Sequence, residues 1–260
     1  MTISAARRAT VPFLYRYASL STPERLEWLR IIVQEHELYL PSLTQLNDPA
    51  DGRPKLAAMP GYKFAAYLFD GFLQRNPNAP LAVRAREEYI LYYNVLRHGV
   101  NRLQRLFSQG LNEELKDYRI YSLSKRYDNM SMWAKYADNH TGYCLEFANE
   151  GPVFERAMEV TYEESVQMDI TNPEHRNGYW FFYKKPEWSN EEEVRLVLQR
   201  NKGSKVKIDP RWLTRVILGK NISAENRSVI QKWAEELRPR LPVATAYYDE
   251  PDHVLRLRAM

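Results

Sequence analysis

The stretch Asn190-Glu-Glu-Glu-Val-Arg-Leu-Val-Leu198 decides how the chain folds. Its β-branched and aliphatic content predicts a strand over residues 191–198. A period of two then places Glu191, Glu193 and Arg195 on one face and Glu192, Val194, Leu196 and Leu198 on the other. The second set has the look of a core side. Glu191 and Glu193 can therefore converge at the strand entrance, where like charges raise one pKa or together stabilise a cation. A solvated acidic turn is the alternative.

Outward from this strand, the downstream half carries further predicted strands at residues 118–124, 143–147, 158–162, 205–208, 215–218, 243–248 and 253–258. Helices are predicted between them at about 131–138, 175–183 and 223–237. Upstream, residues 13–18 predict a strand, and Ser21-Thr-Pro-Glu24 starts a helix that runs to about Glu35, with Pro23 suited to its first position. A short strand at 38–40 leads to the rigid turn Leu46-Asn-Asp-Pro49. Residues 61 to about 110 are predicted helical and divided at Asn76-Pro-Asn-Ala-Pro80. Phe64, Leu68 and Phe72 form one stripe, and Tyr89, Tyr92, Leu96, Val100, Leu103 and Phe107 another. The expected fold is α+β, a single domain with a strand-helix-turn unit (1–60), a helical insertion (61–117) and a mostly antiparallel mixed β core with helices (118–260).

Of the 260 residues, 44% are hydrophobic and 13% aromatic, enough to bury a core and offset the entropy of ordering, so a dominantly disordered chain is excluded. Cys144 is the single cysteine, which excludes intrachain disulfides and multi-cysteine metal sites and fits a reducing compartment. In its strand it is expected to be a buried, inert thiol. No apolar segment follows Arg7 and Arg8, and no apolar run approaches the roughly 20 residues of a spanning helix, so a cytoplasmic protein without membrane association is expected. The net charge of +4 is spread among neighbouring acids; it permits a nucleic-acid partner without indicating one. Gly-rich phosphate loops, a His-Glu-x-x-His zinc motif and a Gly-x-Ser-x-Gly elbow are all missing from the sequence.

Two further strands carry polar groups. Arg16 shares a strand face with Leu14 and Ala18, opposite Phe13, Tyr15 and Tyr17, and must find an anion or reach solvent. Ser122 and Ser124 share one face of strand 118–124 and either line a polar pocket or end a strand in the ordinary way.

In chain order, Arg16, Ser122-Leu-Ser124 and Glu191-Glu-Glu193 resemble the Arg-Ser-Glu pattern of ADP-ribosyltransferases, with Lys125 at the usual third position of the serine motif. A fuller resemblance is to the bacterial family called domain of unknown function 2971. It is carried by Leu14-Tyr-Arg-Tyr17, Leu46-Asn-Asp-Pro49, Ser122-Leu-Ser124, Met132-Trp-Ala-Lys-Tyr-Ala-Asp-Asn-His-Thr-Gly142, Cys144-Leu-Glu-Phe147, Trp188-Ser-Asn-Glu-Glu-Glu-Val-Arg195 and Val216-Ile-Leu-Gly219. The resemblance implies an ADP-ribosyltransferase-like fold and an enzyme, transferase or glycohydrolase, that consumes NAD as co-substrate. A toxin or phage-defence setting would suit it. The acceptor, whether protein, nucleic acid or small molecule, stays open.

Cleavage of the nicotinamide glycosidic bond passes through an oxocarbenium-like ribose, which carboxylates stabilise. The resemblance implies Glu193 facing that cation, Glu191 orienting or deprotonating the acceptor, and Ser122, with Ser124, holding the ribose and the carboxylate. Arg16 would pair with the diphosphate. Trp133, Tyr136 and Tyr17 are candidate ring-binding surfaces, with core packing as their alternative, and Asn47 and Asp48 either rim the pocket or form a plain turn. Glu146 is either a site carboxylate or a buried partner for an arginine. Two other functions compete: a metal-dependent nuclease or phosphoesterase using Asp48, Glu146, Glu191 and Glu193 around Mg²⁺, and a non-catalytic module in which Arg97, Arg102 and Arg105 meet nucleic acid or an acidic protein. The sequence predicts no dedicated metal ligands.

Overall fold

The alternation of large apolar side chains along the predicted strands is what pairs them into a sheet with two buried faces. The computed structural model describes residues 7–46, 48, 51–52, 55–164, 167–169, 179–199, 203–252 and 254–260. In chain order the strands are β1 (Phe13–Ala18), β2 (Glu37–Tyr39), β3 (Lys55–Leu56), β4 (Tyr118–Ser124), β5 (Tyr143–Ala148), β6 (Met158–Glu159) and β7 (Thr161–Tyr162). They continue as β8 (Gln167–Met168), β9 (Tyr183–Lys184), β10 (Glu193–Gln199), β11 (Lys205–Lys207), β12 (Leu213–Leu218), β13 (Val243–Asp249) and β14 (Val254–Ala259). The helices are α1 (Pro23–Arg30), α2 (Gly61–Arg75), α3 (Leu81–His98), α4 (Val100–Leu115), α5 (Met130–Lys135), α6 (Gly151–Phe154) and α7 (Ala224–Glu236).

Eight strands form one sheet in the order β14-β13-β12-β5-β1-β4-β10-β6. Every pairing in it is antiparallel except β12 with β13. This is the expected α+β fold with a mixed, mostly antiparallel sheet. On one face Leu14, Tyr121, Leu123, Leu145, Phe147, Val194 and Val216 meet Leu29, Ile32 and Val33 from α1 and the π turn that continues it, and Ile230 and Ala234 of α7. On the other, Tyr15, Tyr17, Cys144 and Ile217 meet Met132, Trp133 and Ala137 in and after α5. Asn129 starts α5 by accepting hydrogen bonds from the Ser131 and Met132 amides, which satisfies two of the helix's free donors.

Helices α2 to α4 form a unit attached to this second face. Ile120 and Val197, at one end of β4 and β10, pack with Phe181, and Leu111 and Trp180 join that cluster to Phe64, Val95, Val100 and Phe107 of the helices. The continuous stripe expected from Tyr89 to Phe107 is broken. Gly99 turns the chain at φ +75°, so Val100, Leu103 and Phe107 are packed while Tyr89 and Leu96 stay exposed. The expected strand 158–162 is likewise two strands, β6 on the large sheet and β7 paired with β9. Of the helix expected at 175–183, residues 175–178 lie outside the described residues, and Tyr179–Phe182 form a 3₁₀ turn. Among the described residues no helix is long and apolar enough to cross a membrane.

Candidate functional site

The antiparallel register of β4 and β10 sets Ser124 opposite Glu193 and Ser122 opposite Arg195, all on the face that carries Tyr15 and Tyr17. Residues directly opposite in a sheet share a face and sit close enough for their side chains to interact. Here they do. Glu193 and Arg195 are buried, and Arg195 donates from Nε to Glu193 Oε1 at 2.7 Å and from Nη2 to Oε2 at 2.9 Å. On its far side Arg195 forms a second two-pronged pair with buried Asp51, at 2.8 and 2.7 Å, and donates to the Phe181 carbonyl at 2.7 Å. One planar guanidinium thereby joins two carboxylates, a use that a lysine's point charge does not serve. Ser122, opposite Arg195 on the neighbouring strand, also favours the ionised Glu193.

Glu191 reaches the same place by a different route. It ends a 3₁₀ turn (Pro186–Glu191) instead of opening the strand, and Glu192 takes a left-handed conformation (φ 44°, ψ 50°) before β10 begins. Such a conformation costs a residue with a side chain about 1 kcal/mol or more, and here it turns both flanking carboxylates inward. Lys184, on β9, donates to Glu191 at 2.7 Å and to Glu193 at 3.0 Å. Glu191 also accepts from the Tyr136 hydroxyl at 2.6 Å and from Lys135 at 3.2 Å. Ser124 Oγ donates to the Glu191 carbonyl and accepts from the Arg126 amide, which fixes the turn against β4. Asp51, Glu191 and Glu193 are thus matched by Arg195, Lys184 and Lys135, a balanced set of charges that burial demands.

The electrostatics follow from this pairing. Burial works against an ionised Glu193, yet the charge and hydrogen bonds of Arg195, with Lys184 and Ser122, outweigh it and hold the carboxyl at about 2. For Asp51 burial is the stronger influence and lifts the carboxyl above its usual range despite the same arginine. Burial also opposes the Lys184 charge, and the two glutamates more than compensate, raising its pKa.

At the rim, the Lys135 ammonium lies 3.3 Å from the ring centre of Trp188 and 5.0 Å from that of Tyr136. The Trp188 Nε1 is buried and, among the described residues, has no hydrogen-bond partner. A buried donor without a partner is costly, and the Lys135 and Lys184 ammonium groups lie 3.3 and 4.9 Å from the centre of the same Trp188 ring.

Of the expected site residues, Glu191, Glu193, Ser122, Ser124 and Tyr136 come together. Arg16 does not. It pairs in register with Leu145, on the opposite sheet face, where it donates to the Ser122 carbonyl at 2.7 Å and lies 5.0 Å over the Tyr121 ring. Trp133 is fully buried, stacked on His140 and edge-on to Tyr17, with its Nε1 donating to the Tyr127 carbonyl, so it is core. Tyr17 is buried as well; its hydroxyl donates to the Arg126 carbonyl and accepts from the Asn129 amide. Asp48 is half-buried and Asn47 lies outside the described residues. Glu146 is a buried partner for an arginine: it meets Arg215 at 3.6 Å, Thr214 at 2.9 Å and the Tyr15 hydroxyl at 3.4 Å. Cys144 is wholly buried, and burial pushes its thiol up, the state of an inert cysteine.

Missed in the sequence were Asp51, Lys184, Lys135 and Trp188. One signal pointed to the lysines: two carboxylates and one arginine on a buried strand face leave a net negative charge that needs a cation. Among the described residues no three His, Cys, Asp or Glu side chains are arranged to hold a metal ion. A cleft of about 270 Å³ lies on the other face, lined by Leu38, Leu40, Val153, Leu196 and Val206 among others, and it includes none of the expected site residues.

The chain matches no family model, no curated protein and no solved structure. Its geometry has to carry the functional conclusion.

Proposed function

We infer that this chain cleaves the nicotinamide–ribose bond of NAD and passes ADP-ribose to water or to an acceptor hydroxyl or amine. The supporting observation is the register of adjacent strands β4 and β10, which sets Ser124 opposite Glu193 and Ser122 opposite Arg195 and so joins the serine and glutamate motifs in one site. When the C1′–N bond breaks, its electron pair leaves with nicotinamide and positive charge passes to the ribose ring. A carboxylate held ionised by its neighbours, as Glu193 is, stabilises that charge without a proton having to move first. Glu191, hydrogen-bonded to Tyr136, accepts the proton of the incoming nucleophile, whose oxygen or nitrogen forms the new bond to C1′.

The diphosphate contact that the resemblance implies for Arg16 falls instead to a cation on the face that carries Glu191 and Glu193. Lys135 is 39% exposed at the rim and leaves Glu191 to meet the diphosphate as substrate enters. Trp188 replaces Trp133 as the ring surface, with its Nε1 donating to the carboxamide oxygen. Incubation with NAD labelled in the nicotinamide ring, alone and with cell lysate, tests this: free labelled nicotinamide is expected, and its release falls in Trp188→Phe, which keeps a ring but loses the donor. A protein that neither binds nor consumes NAD under both conditions would refute it.

A further inference from the structure

The outer face of α3 departs from the rest of the surface. No residue of this 18-residue helix is buried. Leu91 and Val95 are half-buried, while Tyr89, Tyr93 and Leu96 are 68%, 43% and 84% exposed. At 100° per residue Arg86, Tyr89, Tyr93 and Arg97 lie along one outer stripe, about 16 Å long at 1.5 Å per residue. The two tyrosine rings stack with centres 6.0 Å apart and planes 19° apart, and Arg97 donates to the Tyr93 hydroxyl at 2.9 Å. No acid lies on the stripe: Glu87 and Glu88 fall at other angles of the helix.

Positive charge also accumulates here. Some exposed cations elsewhere are matched locally, as in Arg30 with Glu27, Arg126 with Asp128, Arg211 with Asp209 and Arg256 with Asp249, while others, such as Arg156, Lys220 and Arg240, stand singly on other elements. Among the described residues Arg86, Arg97, Arg102 and Arg105 pair with no carboxylate. Between Gly61 and Asn112 the chain carries Lys63 and six arginines against Asp70, Glu87 and Glu88, a surplus equal to the net charge of the whole chain.

We propose that this face of α3 binds single-stranded nucleic acid, with Tyr89 and Tyr93 stacking bases and Arg86 and Arg97 contacting the flanking phosphates. Aromatic side chains interleaved with unpaired arginines are what an unpaired strand needs, since every base has a face to stack and each nucleotide brings one negative charge. A second copy of the chain fits poorly, because a face with arginines and no acid would set like charges together. An anionic membrane fits less well than a strand, since the exposed aliphatic side chains of the helix, Leu81, Val83 and Leu96, lie at separate angles around it and form no wide apolar face.

The test is fluorescence anisotropy of a short labelled polyuridylate titrated with the full chain at several salt concentrations. Binding is expected, with log affinity falling against log salt at a slope of about −1 to −3, as two to four phosphate contacts give. Tyr89→Ala combined with Tyr93→Ala weakens it about tenfold or more, and Arg86→Gln flattens the slope by about 0.7. These side chains are exposed, so melting curves of the variants should overlay that of the wild type. The proposal is overturned by no binding at low salt or by binding that the tyrosine pair does not affect. It is equally overturned if phosphatidylserine vesicles, or a second copy seen by light scattering, engage this face while the oligonucleotide does not. None of these readouts depends on NAD.

Discussion

Replacing Glu193 by Gln removes one charge from a buried network and leaves its shape, and the structure sets the size of the effect. Glu193 is 4% exposed, hydrogen-bonded by Arg195 and Lys184, and its carboxyl is held at about 2 against an ordinary 4.5. A carboxyl depressed in the folded state stabilises the fold above its unfolded pKa, and that contribution fades as pH falls through the folded value. At pH 7 the ionised form is therefore worth about 3 kcal/mol, at pH 3 about 1, and at pH 2 close to nothing. Because the Glu193 charge helps raise the Asp51 carboxyl and the two share Arg195, the comparison is repeated in an Asp51→Asn background, which removes that second titration. The assay is urea unfolding of wild type and Glu193→Gln followed by far-UV circular dichroism at pH 7, 5, 4 and 3. The wild type should be the more stable at pH 7 by about 3 kcal/mol, with the gap closing steadily as pH drops. A gap that stays constant with pH, or widens in acid, would refute the claim that Glu193 is locked ionised.

Arg195→Met leaves Asp51 and Glu193 buried without their shared counter-charge and should cost about 3–5 kcal/mol in urea unfolding, whereas the further changes Asp51→Leu and Glu193→Leu should recover much of it. Gly142→Ala would set a Cβ 2.2 Å from the Ala18 carbonyl oxygen and 3.0 Å from that of Ala137, both backbone atoms. Differential scanning calorimetry should show about 1–3 kcal/mol of destabilisation. Asn129→Ala removes the cap of α5 and should lower stability by about 1 kcal/mol in urea melts.

The strands were legible in the sequence because period-two alternation survives wherever a sheet has at least one packed face, and β4, β5, β10 and β13 lie close to their expected places. The site was only half legible. Alternation correctly put Glu193 and Arg195 together and Arg16 opposite Tyr15 and Tyr17, but the phase of one strand against the next depends on register. That register, Arg16 with Leu145 and Ser124 with Glu193, places Arg16 behind the sheet. Both faces are covered, so polarity gave no warning of which side held the site. Glu191 joins Glu193 through a left-handed Glu192, a backbone state that a run of three glutamates does not signal. Asp51 arrives from a distant segment that nothing in the sequence announces, whereas the uncompensated negative charge of Glu191, Glu193 and Arg195 called for the cation that Lys184 supplies. In the helical unit the 3.6-residue period ran through Gly99 without interruption; the turn there changed which aromatic residues were buried.

The most direct measurement is the rate of nicotinamide release from NAD by wild type and Glu193→Gln, compared at pH 7 after circular dichroism shows both folded. Release by the wild type and a loss of at least about 100-fold in the variant, the scale of removing a group that stabilises charge in the transition state, is the expected result. Equal rates in the two proteins, or no release by the wild type even with lysate present, would contradict the assignment of Glu193 as the carboxylate that meets the ribose cation.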